Sequence, residues 1–272
     1  MSWRVVARKD VRDAARSKTI WLLVALLTLL SVGYAVAHEY LGPAEFPAFL
    51  GGLADVVGPV VPILALLLGY KSIVDDRTDG SMFLTLSFPH SRRDVVAGTL
   101  VGRAVVLLAP TLVALVAAGV VGAVRYGTDG AALYPLFVAT TALYGVAFLG
   151  VAVGLSMWTT VDRWVTLGAF GVYMLAVNLW GGLHSFALLF LHRFDGTVLA
   201  DLPDWALLFR LAGPGESYDR LLAAAFDLDR AGRYVADGVP AYVDWWAAVV
   251  LLVAWFALPL AVGYRRFRST DL

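Results

Sequence analysis

Six apolar runs, each long enough to cross a bilayer as a helix, constrain this sequence more than any other feature. A hydrocarbon core about 30 Å thick takes about 20 apolar residues at about 1.5 Å of rise per residue. The runs are 20–37, 56–74 (with Lys71 near its end), 104–124, a fourth within 131–161, a fifth within 164–191, and 245–264. Lipid offers backbone groups no hydrogen-bonding partner, so each run must satisfy its own as a helix. Only 15% of the residues are charged, and mean hydropathy is +0.76. The fold expected is all-α: a polytopic membrane protein with six transmembrane helices in one domain over 1–272. Zero net charge argues against a nucleic-acid partner. With no cysteine, disulfides, thiol catalysis and thiolate metal sites are excluded together.

The charges between the runs orient the chain. With the N-terminus inside, the inner segments hold 15 Lys and Arg and the outer ones six. Acids run the other way, eight inside and 13 outside, so the two sides carry +7 and −7. The positive-inside rule therefore places both termini in the cytoplasm, and the membrane expected is the plasma membrane of a prokaryotic cell. Ala35, Val36 and Ala37 resemble a signal-peptidase site, but the preceding apolar run of 18 and the basic leader before it favour a retained first helix.

That leader, residues 1–19, reads as an amphipathic elbow helix. Trp3, Ala7, Val11 and Ala14 share one stripe, and Arg8, Arg12 and Arg16 climb a neighbouring face at a spacing of four. Such a helix suits the headgroup layer of the membrane, its arginines near anionic lipid. The longest extramembrane piece, 192–244, reads as short helices forming a small cap on the outer surface. Ser217 is the expected N-cap of one of them, and Leu221, Leu222 and Phe226 form its apolar stripe.

Enzyme signatures are missing. The nearest approach to a phosphate-binding loop, GYKS at 69–72, has Tyr70 where glycine is required. GLSM at 154–157 lacks the second glycine of a nucleophile elbow. His184 and His192 lie eight apart on one helical face, without a carboxylate or thiolate partner, and interfacial hydrogen bonds suit them better than a metal. None of the apolar runs contains Asp, Glu or Arg, which argues against an ion-coupled carrier. Lys71 is expected to reach the interface and pair with Asp75, four residues on. Asn178, the strong amide at depth, is expected either to line a pathway or to hydrogen-bond between helices. Gly150 and Gly154 in GVAVG suit close helix packing.

Residues 75–94, DDRTDGSMFLTLSFPHSRRD, join spans two and three on the expected cytoplasmic side. Thr78 or Asp79 can cap a short helix carrying Met82, Phe83, Leu84 and Leu86, which Pro89 ends. Ser91 and Asp94 then read as a capping box opening the next helix, which runs through Gly98, Gly102 and Arg103. A short helix with one apolar side, held between two spans, suits docking into a groove of a soluble partner. A turn that merely packs on the membrane surface is the other reading.

This segment resembles the cytoplasmic loop of ABC-2-type transporter permeases. The matching positions are Asp76, Arg77, Gly80, Leu84, Leu86, Ser87, Pro89, Ser91, Arg92, Gly98 and Gly102, with departures at Phe88, His90 and Thr99. The basic leader, the six spans and the cytoplasmic termini match as well. The nearest branch includes permeases linked to maturation of copper enzymes such as nitrous oxide reductase. The resemblance implies a transport subunit that has no catalytic residue or cofactor of its own. It pairs as a homodimer, or with a similar permease, and binds separate ATPase subunits that hold ATP and Mg. Residues 75–103 become the coupling loop, with Asp76, Arg77, Gly80, Met82, Phe83, Leu84, Leu86, Pro89, Ser91 and Arg92 docking the ATPase. A standalone membrane scaffold or sensor, its loop bound to some other partner, is the alternative function.

Overall fold

The computed structural model describes residues 3–74, 91–199, 202–226 and 240–269. Every regular element among them is helical. Helix α1 (Trp3–Arg16) precedes α2 (Lys18–Ala37), α3 (Phe46–Gly69), α4 (Arg92–Tyr126) and α5 (Tyr134–Trp158). Helix α6 (Asp162–Tyr173) continues through a π-helical segment, Met174–Leu179, into α7 (Trp180–Leu191). Two short helices follow, α8 (Asp204–Leu211) and α9 (Pro214–Phe226), before α10 (Trp245–Ser269). Six of these stretches are long and apolar enough to cross a membrane: Ile20–Tyr40, Phe46–Gly69, Arg92–Tyr126, Ala131–Trp158, Asp162–Leu191 and Trp245–Ser269. The end of the molecule carrying α1 is called here the basic end and the opposite one the acidic end.

Two spans start earlier than hydropathy alone indicates. Helix α3 begins at Phe46, ten residues before the apolar run, because Glu45 is extended and Pro47 stands near the first helical position, where a missing N–H costs nothing. This corrects the expectation that no acid lies within a span, since α3 carries Asp55 about 14 Å along its length. Helix α4 begins at Arg92, where the expected capping box is present: Ser91 Oγ accepts from the Asp94 N–H, and Asp94 Oδ2 accepts from the Ser91 N–H.

Helices α5 and α10 form the tightest pair. A Cβ on Gly150 would stand 2.6 Å from the Phe256 carbonyl oxygen, and one on Gly154 2.5 Å from that of Pro259. Lipid tails are as apolar as leucine, so small residues that admit backbone-to-backbone contact are what hold such a pair together. The expected role of Gly150 and Gly154 is met. At the acidic end α4 closes the C-terminus of α2. Arg125 Nη1 donates to the Val36 carbonyl at 2.6 Å and Tyr126 Oη to that of Ala35 at 2.7 Å, which supplies donors to carbonyls that end a helix unpaired.

The α8–α9 pair departs from the expected surface cap. Trp180 Nε1 donates to the Arg210 carbonyl at 3.0 Å, and Trp255 Nε1 to that of Ala212 at 2.8 Å. Tyr218 stacks on Tyr144 with ring centroids 4.6 Å apart, its hydroxyl 3.0 Å from Thr141 Oγ1. Trp180, Trp255 and Tyr144 each lie ten or eleven residues from the acidic end of their helices. That is about 15 Å, half the hydrocarbon core. The hairpin therefore re-enters the span region instead of lying on its surface. Its turn carbonyls accept indole N–H groups for which lipid has no acceptor, and helices cover its irregular backbone on the spanning side. Ser217 is inside α9 and is not its N-cap, for the helix opens at Pro214 and Ser217 Oγ reaches back to the Leu211 carbonyl at 2.6 Å.

Candidate functional site

At the basic end, segment 75–90 leaves from α3 and returns into α4. Asp76, Arg77, Gly80, Met82, Phe83, Leu84, Leu86 and Pro89 lie outside the described residues. What is described is the seating of the segment's two ends.

The return side is held by α1 and α10. Helix α1 lies across α4 at Gly98 and Gly102. A Cβ on Gly98 would meet the Trp3 carbonyl oxygen at 2.7 Å, and one on Gly102 would meet Asp10 Oδ2 at 2.6 Å. Asp10 and Arg103 form an ion pair of 3.1 Å across the same contact. Ala7 and Ala14, on the expected apolar stripe of α1, are buried, while Arg8, Arg12 and Arg16 are exposed. Trp3 is partly exposed, with Arg4 over its ring at 5.7 Å. Arg92, expected to face a partner, donates Nη1 to the carbonyls of Phe267 at 2.7 Å and Arg268 at 3.2 Å. A guanidinium at the C-terminus of α10 both satisfies its last carbonyls and matches the negative end of the helix dipole.

The leaving side is held by α5 and α6. Ser72 Oγ donates to the Gly69 carbonyl at 2.7 Å, and the N–H groups of Ile73 and Val74 both donate to Ser156 Oγ at 2.9 and 3.0 Å. Ile73, Val74 and Ser156 are fully buried. Lys71 Nζ reaches both carboxylate oxygens of Asp162, in the first turn of α6, at 2.9 Å. Asp75, its expected partner, lies outside the described residues. Sequence gives Ser156 only as the serine of the rejected GLSM stretch and gives Asp162 no role, and no local pattern shows what they hold, since they are 83 and 91 residues from their partners.

Between α3 and α6 runs an apolar cleft of about 340 Å³, lined by Ile63, Leu67, Tyr70, Ala169, Phe170 and Tyr173. Tyr173 Oη donates to the Pro59 carbonyl at 3.4 Å beside it. Asn178 lies in the π-helical segment, is exposed, and makes no side-chain hydrogen bond to a described residue. An interhelical bond within the chain is therefore not its role here. His184 Nε2 bonds the Ala206 carbonyl at 2.9 Å and His192 Nδ1 that of Leu188 at 3.0 Å. Both are hydrogen bonds to backbone, as expected. Among the described residues no three His, Asp or Glu side chains converge.

The sequence from residue 4 to 272 matches the family model described as ABC-2 family transporter protein. This chain belongs to the ABC-2 transporter family. The permease is 28% identical to the probable ABC transporter permease protein NosY of Pseudomonas aeruginosa, over 98% of both chains. It is 30% identical to the protein of the same name from Stutzerimonas stutzeri, over 97% of its own length and 96% of that relative's. Both fall in the branch that the loop and topology resemble. As a permease subunit of an ABC transporter family the chain is not itself an enzyme.

Proposed function

We propose that this permease is the membrane half of an ATP-driven transporter, and that a separate ATPase hydrolyses ATP and docks on residues 75–92. The segment then faces the cytoplasm of a prokaryotic cell, and the excess of Lys and Arg on that side supports this orientation. The observation that carries this reading is the anchoring of both ends of the segment: a force applied there reaches the spans instead of being lost in a slack loop. Helix α1, with Arg8, Arg12 and Arg16 exposed, lies in the headgroup layer of the same leaflet.

Purification from native membranes in mild detergent should bring down an ATPase in stoichiometric amount. If the chain comes out alone at native expression, the reading fails and a scaffold or sensor takes its place. Arg77→Glu or Leu84→Pro should leave membrane insertion intact and lower the yield of bound ATPase about tenfold, equivalent to about 1.4 kcal/mol of docking free energy.

A second permease copy, or a close relative, covers the outward face of span five. Asn178 presents an unpaired amide to that face at mid-span, and space is open above Gly171 and Gly182 on either side. Two amides facing each other across a two-fold axis satisfy one another, and glycines let the backbones approach. Asn178→Leu should weaken self-association by about 1 kcal/mol, roughly fivefold in dissociation constant, measured by dilution in nanodiscs or detergent. An unchanged constant would remove Asn178 from the interface.

A further inference from the structure

Helices α5 and α10 meet backbone to backbone at Gly150 and Gly154, but toward the acidic end α9 packs against both of them. Tyr218 of α9 stacks on Tyr144 of α5, and Arg220 of α9 pairs with Asp244 just before α10. An apolar groove of about 430 Å³ remains where the three helices meet. Leu136, Ala139 and Leu143 line it from one face of α5, and Leu143 stands nine residues from the start of that helix. That is about 14 Å, close to the depth of one leaflet of the hydrocarbon core. Ala224 and Ala225, in an alanine run of α9, put little side chain into the groove. Leu136, Ala139, Ala224 and Trp245 are exposed, so its flank is open. Water is absent at this depth of a membrane, and the occupant that matches such a lining is a hydrocarbon chain.

At the acidic end the groove runs into a wider mouth of about 590 Å³, which shares Ala224, Ala225 and Trp245 with it. Arg220 and Asp244 line that mouth. The Arg220 side chain is only 8% exposed; it donates Nε to the Val243 carbonyl at 3.3 Å and Nη2 to Asp244 Oδ1 at 2.7 Å. The same Oδ1 accepts the Trp245 N–H at the start of α10. Arg220 Nη1 and Asp244 Oδ2 make no hydrogen bond to a described residue. The mouth therefore offers a cationic donor and an anionic acceptor side by side, at the level where the exposed rings of Trp245 and Trp246 mark a headgroup layer. Glu45 and Asp129, both exposed, stand beside the lining residues Pro47 and Gly130 and add negative charge to the rim.

We propose that groove and mouth together hold one phospholipid with a zwitterionic, amine-bearing headgroup. An acyl chain lies along α5, the phosphate meets Arg220 and the ammonium meets Asp244. A guanidinium and a phosphate form a strong charge-assisted pair. A headgroup with a phosphate and no amine carries a net negative charge toward Asp244, Glu45 and Asp129, and the zwitterion does not. The bound lipid seals the seam between the re-entrant hairpin and the α5–α10 pair. The site depends neither on an ATPase nor on which side of the membrane the acidic end faces.

Delipidated permease in detergent, titrated with palmitoyl-oleoyl phosphatidylethanolamine, the matching phosphatidylglycerol or water-soluble glycerophosphoethanolamine, tests this by native mass spectrometry of the retained molecules. One phosphatidylethanolamine should be retained, about fivefold more tightly than phosphatidylglycerol, the margin that a solvent-accessible ion pair supplies. Glycerophosphoethanolamine, which has no acyl chain, should not be retained. Ala139→Phe with Ala224→Phe fills the groove at two exposed positions and should cut retention about fivefold or more, with the melting temperature in lipid-free detergent unchanged. Asp244→Asn keeps an oxygen for Arg220 and for the Trp245 N–H, and should abolish the preference between the two lipids. Equal retention of both lipids by the unsubstituted permease overturns the proposal, as does full retention in the filled groove or a preference that survives Asp244→Asn. Glycerophosphoethanolamine held as tightly as the lipid also overturns it, because the mouth would then serve a soluble solute. Should the phenylalanine variant fail to fold, Asp244→Asn alone decides.

Discussion

Gly154→Val is expected to cost about 3 kcal/mol and to leave little folded permease after detergent extraction. Core overpacking typically costs about 1–3 kcal/mol when neighbouring side chains can shift. At Gly154 the obstacle is the Pro259 carbonyl, a backbone atom of α10 that moves only if the whole helix does. Gly263 closes the same crossing from the other side, where a Cβ would strike the backbone of Gly154. Fluorescence-detected gel filtration after a heating series measures the effect. A melting curve superimposable on that of the unsubstituted protein would show that the α5–α10 contact is looser than described. Gly168→Val provides the contrast, because a Cβ there meets only Leu155 side-chain carbons at 3.4 and 3.7 Å.

Glu216→Ala should be comparably damaging, at about 3 kcal/mol, through a different mechanism. Arg210 and Glu216 form a 2.7 Å pair across the hairpin turn, with 18% and 19% of their side chains exposed. The turn between them accepts the Trp180 and Trp255 indoles at about half the depth of the hydrocarbon core. Removing the carboxylate leaves a part-buried guanidinium without its anion, and since breaking fully buried pairs this way costs about 3–5 kcal/mol, partial exposure puts this one at the lower end. The double variant Arg210→Leu, Glu216→Leu should recover most of the loss, since it leaves no unpaired charge. Thermal stability of the three variants decides the matter. A double variant as unstable as Glu216→Ala would mean that the pair is needed for hairpin geometry and not merely for charge balance.

The features legible in the sequence were those set by local chemistry. The apolar runs give six spans because lipid permits only self-satisfied helices. Ser91 and Asp94 signal a helix start because a capping box is complete within four residues. Gly150 and Gly154 signal a close crossing because nothing else brings backbones into contact. The apolar stripe of α1 follows from helical periodicity, and its buried alanines lie on it. Arg92 carries a resemblance to a docking residue, yet among the described residues its guanidinium serves the end of α10, 175 residues away.

The outer hairpin shows where such reading stops. DLPDWALLFRLAGPG carries charges and turn residues at the density of a surface loop, and Arg210 and Glu216 look solvated on the page. Only their pairing, and the indoles of Trp180 and Trp255 reaching the turn, place the segment at depth. By itself the sequence determined that this chain is a six-span helical membrane protein, how its ends alternate in charge, and which family it resembles. These follow from hydropathy, charge and short motifs, each contained in a few consecutive residues. The tertiary structure alone decided that the hairpin re-enters, that Asn178 faces outward, and that Lys71 and Val74 close on Asp162 and Ser156. Each of these depends on which residues from distant spans arrive at one depth and one helix face, and helix packing sets that after the chain has folded.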